Sequence, residues 1–292
     1  MTHSSVTTGD GPGQLVAGLS GKPPEVLFHY TSADGLIGIV GSRRLWASSI
    51  HYLNDELEFQ LALEVLEWSL RVAAEKSHGP RRVLVDAMRD RVESLSGVNV
   101  CVFSLSGARD LLSQWRAYCS DGGYCIGFRA EQLHAAAANQ GFFLGRCFYE
   151  PREQQRLVSS LLDSMLLGYE TGHYDHVWAD KPIEMMAEMY LAGFIQLAPL
   201  LKDKSFEEER EWRLVSDPLV RSEFRFRVGR GGILVPYCEF DPVREEALEL
   251  PEVLVGPTPH KQAALAALAM FLKNHRVRNW SASHSTTPFR SW

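Results

Sequence analysis

The sequence predicts an α+β fold on a mixed, mainly antiparallel sheet, with a helical insertion at about residues 154–204. Short apolar runs bounded by turn residues occur both early and late in the chain, as strands do. One long stretch with apolar residues three and four apart interrupts this strand-rich pattern, and no internal repeat is present. The 292 residues, 45% apolar and 23% charged, exclude general disorder and suffice for one elaborated domain.

Residues 1–24 are rich in Ser, Thr, Gly and Pro and poor in bulky apolar groups, so they read as a flexible leader before one domain over 25–290. Glu25 to Tyr30 reads as a buried strand ending at Thr31-Ser32. Ser32 or Asp34 can cap a helix over Gly35 to Val40, with Gly41 as its stop. Leu45 to Ser48 is a second short strand. Asn54-Asp55-Glu56 supplies a cap and negative charge for a long helix carrying Leu57, Leu61, Val65, Trp68 and Val72 on one face. A further helix is expected over Arg82 to Leu95, a strand over Asn99 to Ser106, one or two helical turns over Leu111 to Cys119, and a turn at Asp121-Gly122-Gly123 before the strand Tyr124 to Phe128. From Gln154 to Lys204 the pattern is helical, with Ile183, Met186, Tyr190, Phe194, Leu197 and Leu201 on one face until Pro199 disturbs the last turn. Strands follow at Arg210 to Val215, Phe224 to Val228, Ile233 to Tyr237 and Val253 to Gly256, and a helix from Thr258 or His260 to Asn274 closes the pattern.

Several classes of function drop out. The longest apolar run, Ala263 to Leu272, is ten residues, whereas a membrane-spanning helix needs ~20. With no secretory signal visible, a cytoplasmic location is the default expectation. Cys101, Cys119, Cys125, Cys147 and Cys238 form an odd set without a CxxC pair, so they read as reduced, mostly buried thiols. The formal charge of −6 gives no general pull toward nucleic acid, although Arg221 to Arg230 forms a local basic strip. There is no P-loop, no GxGxxG and no GxSxG. His173-Tyr174-Asp175-His176 lacks a third metal ligand and reads as a solvated loop, and Gly229 to Gly232 as a hairpin turn.

Four polar clusters carry the chemistry. His29-Tyr30-Thr31-Ser32 ends the first strand, where a histidine can offer one ring nitrogen to a ligand while the backbone holds the other. In Ser104-Leu105-Ser106, strand alternation puts both hydroxyls on one face. Ser113 to Tyr118, with Tyr124 beyond the turn, places Trp115 and Tyr118 three apart on one helical face. In Glu207 to Arg213, a strand would turn Glu209, Glu211 and Arg213 one way and Arg210, Trp212 and Leu214 the other. Such charges are expensive to bury, so they face solvent, pair with each other, or meet a ligand.

Together these residues resemble a widespread bacterial family of uncharacterised proteins over about residues 25–290. The resemblance rests on His29 to Ser32, Leu45 to Ser48, Asn54-Asp55 with Glu58, Phe103 to Ser106, Gln114-Trp115 with Tyr118, Gly123 to Phe128, Glu209 to Arg213 and Ser283 to Arg290. More distantly, the strand ending in His29 with Thr31 and Ser32 behind it, and the late Glu209-Arg210-Glu211, resemble ADP-ribosyltransferases of the His-Tyr-Glu type. That resemblance implies the fold of those enzymes, NAD as substrate, and a transferase that could serve as a defence or toxin effector. It implies that His29 holds a ribose hydroxyl, that Glu211 acts at the nicotinamide-bearing ribose, and that Glu209 is accessory. Tyr30, Thr31, Ser104, Tyr118 and Tyr124 are the expected NAD-binding residues, with Tyr30, Trp115, Tyr118 and Tyr124 each eligible to stack on the ligand. Two other readings stand beside it. One is a non-catalytic nucleotide- or protein-binding module using the acidic face from Asp55 to Glu67, and the other a metal-dependent hydrolase using His29, His51 and nearby carboxylates.

Overall fold

A computed structural model describes residues 20–53, 57–119, 122–171, 183–219, 223–243 and 247–287. Most of the leader, the Asn54-Asp55-Glu56 cap, Asp121, the His173 to His176 loop, Arg221 and the last residues of the Ser283 to Arg290 motif lie outside the described residues.

The chain forms a mixed α+β structure on an open, mainly antiparallel sheet. Its strands are β1 (Val26–Thr31), β2 (Leu45–Ser49), β3 (Cys101–Ser106), β4 (Tyr124–Arg129), β5 (Phe142–Arg146), β6 (Glu211–Ser216), β7 (Arg225–Val228), β8 (Leu234–Phe240), β9 (Val253–Val255) and β10 (Ala282–His284). The main path runs β10-β9-β4-β1-β3-β2-β8-β7, and β6 attaches β5 to β3. Only the β9–β10 pair among these ladders is parallel.

The helices are α1 (Ala33–Ser42), α2 (Leu57–Lys76), α3 (Gly79–Arg89), α4 (Leu112–Tyr118), α5 (Ala130–Ala138), α6 (Pro151–Glu170), α7 (Ile183–Leu197) and α8 (Lys261–Asn274). Ser32 caps α1 by accepting from the Gly35 N–H, as its position before the helix suggests. Gly41 does not stop α1. The helix runs on to Ser42, and Arg43, in the left-handed region at φ 55°, returns its N–H to the Ile39 carbonyl. The helix expected over Arg82 to Leu95 divides into α3 and a 3-10 segment, Val92–Gly97. Between β7 and β8, Gly231 and Gly232 take φ of 70° and 77°, and the link is the hairpin turn read from the sequence.

Two apolar layers cover the sheet. On one face α2, α3, α6 and α7 pack over Phe143 and Val215, and on the other α1, α5 and α8 pack over Phe103, Trp212, Leu214 and Phe240. Helices from the 154–204 stretch thus share one core with α2 and α3. Because side chains alternate along β6, Glu211 and Arg213 share the face of Val215 and turn under that helical layer.

β3 is the branch point of the sheet. β6 pairs with it from Val102 to Ser106, which occupies one edge. β2 and β1 must therefore share the other, β2 at Cys101 and Val102 and β1 at Ser106 alone. Opposite Phe103 to Leu105 that edge has no strand partner, so a gap opens between β1 and β3.

Candidate functional site

A cleft lies at this gap. It is lined by Phe28, His29 and Tyr30 of β1, Ser104, Leu105 and Ser106 of β3, Gln114 and Tyr118 of α4, and Glu209 and Glu211 at the start of β6. Phe28 is paired with Ser106 and Ser106 with Glu211, which puts these three side chains on one face of the sheet. Counting the part open to solvent, the space is about 360 Å³.

His29 substitutes for the missing ladder. Its Nδ1 lies 2.9 Å from the Ser104 carbonyl oxygen, and its ring stacks on Phe103 with centroids 4.3 Å apart. A carbonyl only accepts, so Nδ1 carries the proton and Nε2 is the acceptor nitrogen. Burial holds the imidazole neutral, with its pKa pushed down to about 4 against the opposing pull of the Ser104 bond.

The glutamates sit in a buried ionic cluster. Arg213 donates from Nε to Glu211 Oε1 at 2.7 Å and from its terminal nitrogens to both Glu58 oxygens at 2.8 and 3.0 Å. Lys202 donates to Glu211 Oε2 at 2.5 Å and to Glu209 Oε2 at 2.7 Å, and lies 3.4 Å from Glu58 Oε1. The Lys202 backbone is itself fixed: its N–H donates to the Phe148 carbonyl, and Gln154 Nε2 donates to the carbonyls of both Phe148 and Lys202. Burial by itself would raise the Glu211 pKa, but the Arg213 and Lys202 charges outweigh it and hold it at about 2. Glu209 goes the other way, because burial raises its pKa more than Lys202 lowers it. Only one of its carboxylate oxygens has a partner among the described residues.

Of the residues expected from sequence to bind NAD, the cleft gathers His29, Tyr30, Ser104 and Tyr118 beside Glu209 and Glu211. Thr31 and Tyr124 are not in its lining. Tyr30 is bolted in place: its hydroxyl donates to the Ala108 carbonyl at 2.8 Å and accepts from the Leu111 N–H at 2.9 Å. Trp115 is fully buried edge-on to Tyr30, with its indole N–H donated to Asp110, so it forms core rather than a stacking face. Tyr118 is the aromatic residue of α4 that reaches the cleft.

Residues 114–214, about a third of the chain, match a family described as a protein of unknown function, DUF2971. The chain is similar to that family over a span holding Gln114, Tyr118, Lys202, Glu209, Glu211 and Arg213. No curated protein and no solved structure matches the chain.

Two residues at the site, Lys202 and Glu58, were not singled out for it by sequence. Lys202 falls inside the stretch read as helical from Gln154 to Lys204, while Glu58 reads as part of the acidic helix face from Asp55 to Glu67. Glu58 is instead 7% exposed and turned into the cluster. Gln114 is also 7% exposed, and its carboxamide has no hydrogen-bond partner among the described residues. Among the described residues no His, Cys, Asp and Glu group is placed to hold a metal ion, and His51 Nε2 meets the Val98 carbonyl. No described helix is long and apolar enough to cross a membrane.

Proposed function

We propose that this cleft binds NAD and cleaves its nicotinamide–ribose bond, as an ADP-ribosyltransferase-like enzyme does. The observation that carries the reading is the approach of His29, from the first strand, and Glu209 and Glu211, from nearly two hundred residues later, to one cleft at a break in the sheet. In such a reaction the glycosidic C–N bond breaks with its electron pair leaving on nicotinamide. Water or an acceptor nucleophile adds to the ribose carbon and gives up a proton. Positive charge builds on the ribose along the way.

The cluster suits that charge. Among the described residues Glu58, Glu209 and Glu211 pair with two cations, Lys202 and Arg213, and little water screens the surplus. Glu211, ionised across ordinary pH, is suited to be a fixed countercharge. Glu209, with a raised pKa and one oxygen unengaged, is suited to take the acceptor's proton. The Nε2 of His29 is an acceptor for a ribose hydroxyl, and Tyr118 offers a ring face. The cleft is partly open to solvent, so part of a dinucleotide would lie along the surface.

A second reading, a non-catalytic nucleotide- or protein-binding module, is favoured by one observation. Glu211 already accepts from both Lys202 and Arg213, as a purely structural carboxylate would. Titration with NAD and measurement of free nicotinamide separate the two. Saturable binding with nicotinamide release that Glu211→Gln abolishes supports the enzyme. Binding without release favours the module. No saturable binding at millimolar NAD overturns the NAD reading.

A further inference from the structure

Gln114 is 7% exposed, and its carboxamide makes no hydrogen bond to another described residue. Most polar side chains this far withdrawn from solvent have a hydrogen-bond partner, so an unengaged carboxamide at a cleft is a candidate to meet a ligand. Several neighbours in the lining are already engaged: Tyr30 makes two bonds, Ser106 donates to the Glu209 carbonyl and accepts from the Ala108 N–H, and Glu211 accepts three. Local packing also fixes where Gln114 points. Trp115, the next residue, is locked by its bond to Asp110 and its contact with Tyr30, which fixes the rotation of α4 about its axis. Gln114 lies in the wall of the cleft, in a lining that also holds Tyr118, Glu209 and Glu211.

A carboxamide offers one acceptor oxygen and two donor hydrogens, so its complement is a group that both donates and accepts in one plane. A primary amide does this, and so does an adenine edge. The cleft decides between them. On the NAD reading, the half of the dinucleotide beside Glu209 and Glu211 is the one whose glycosidic bond breaks. Resting on the NAD reading above, we propose that Gln114 recognises the carboxamide of the nicotinamide ring and makes the cleft select nicotinamide over nicotinate dinucleotide. A nicotinate carboxylate would leave the Gln114 oxygen unmatched and would add negative charge beside a cluster already rich in it.

The test measures dissociation constants for NAD, its nicotinic-acid analogue and ADP-ribose with the parent protein, Gln114→Met, Gln114→Asn and His29→Ala, each checked for folding by thermal melting. Gln114→Met keeps length and volume but removes the polar head. The expected result is an NAD preference of about tenfold or more over the nicotinate analogue that Gln114→Met abolishes, while ADP-ribose binding is unchanged. His29→Ala should weaken all three ligands together. Should Gln114→Met melt early, Gln114→Asn, which shortens the reach and keeps the amide, must still narrow the preference. An unchanged preference in both folded variants, or a loss of ADP-ribose affinity in Gln114→Met, overturns the assignment and leaves the NAD reading standing. No binding of any of the three to the parent protein overturns both.

Discussion

Arg213 and Glu58, 155 positions apart, form a bidentate pair at 2.8 and 3.0 Å that clamps β6 to the start of α2. The same guanidinium holds Glu211, so one side chain fixes both the helical layer and the candidate catalytic carboxylate. Removing one partner of a buried ionic group leaves the others charged and unpaired, at a cost of about 3–5 kcal/mol. Arg213→Met should lower the urea midpoint by that order, and adding Glu58→Leu should recover part of the loss because one stranded charge goes with it. A single variant that unfolds within 1 kcal/mol or so of the parent would show the cluster to be far better hydrated than its geometry implies.

Tyr30 makes its structural contribution through its hydroxyl, which ties β1 to the Ala108 and Leu111 backbone just ahead of α4. Tyr30→Phe leaves a half-buried carbonyl and N–H without this partner, so a loss of about 1 kcal/mol is expected in chemical denaturation. The same change should loosen α4, which carries Gln114 and Tyr118, and weaken ligand binding through both. If stability falls while affinity holds, the bolt serves the core alone.

β1, β3 and β4 were legible because each is a mostly apolar run with turn residues at its ends, and β6 because Trp212, Leu214 and Val215 stand among its charges. β5 and α5 carry less signal: Ala130–Ala138 has one large apolar side chain, Leu133, and Phe142–Arg146 is five residues long with a glycine inside. His29, Glu209 and Glu211 were readable as a candidate site because histidine and paired carboxylates are conspicuous in apolar strands. The charges that hold them were not. Lys202 owes its direction to a backbone bridge between Phe148 and Leu201, and Glu58 to the docking of α2 on the sheet. Both are tertiary facts without a local pattern. Strand alternation alone puts His29 on the opposite face from Phe28 and its paired residue Ser106; only the parting of β1 from β3 explains its place in the cleft lining.

Acid should weaken the fold in two stages. In the folded protein His29 titrates at about 4 rather than 6.5, so between those values the unfolded chain binds the extra proton. The His29 contribution is complete above pH 6.5 and is lost as pH falls toward 4. Glu211, held at about 2 against 4.5, contributes fully above 4.5 and loses its contribution as pH falls toward 2. Glu209 opposes them: its raised value favours the fold below 4.5, and that benefit fades as pH rises through it. His29→Gln should therefore flatten the rise of stability between pH 4 and 6.5, read from urea midpoints at stepped pH. Parallel curves for parent and variant would place the imidazole in water.

The cleft residues predict different kinetic signatures if the NAD reading holds. Glu211 is the fixed countercharge, so Glu211→Gln removes stabilisation that grows only as the ribose becomes positive, and kcat should fall about 10²–10³-fold with KM little changed. It also breaks up the buried cluster, so its melting temperature must be reported beside its rate. Glu209 handles the proton of the acceptor, and Glu209→Gln should slow transfer by a smaller factor, about 10²-fold, while removing the limb of the pH–rate profile that its ionisation creates. His29 positions the dinucleotide without touching the breaking bond, so His29→Ala should raise KM and leave kcat nearly intact. Steady-state nicotinamide release gives all three. Equal kcat losses with unchanged pH profiles would mean that the variants damage a shared scaffold, and the separate roles assigned to the two carboxylates would fall.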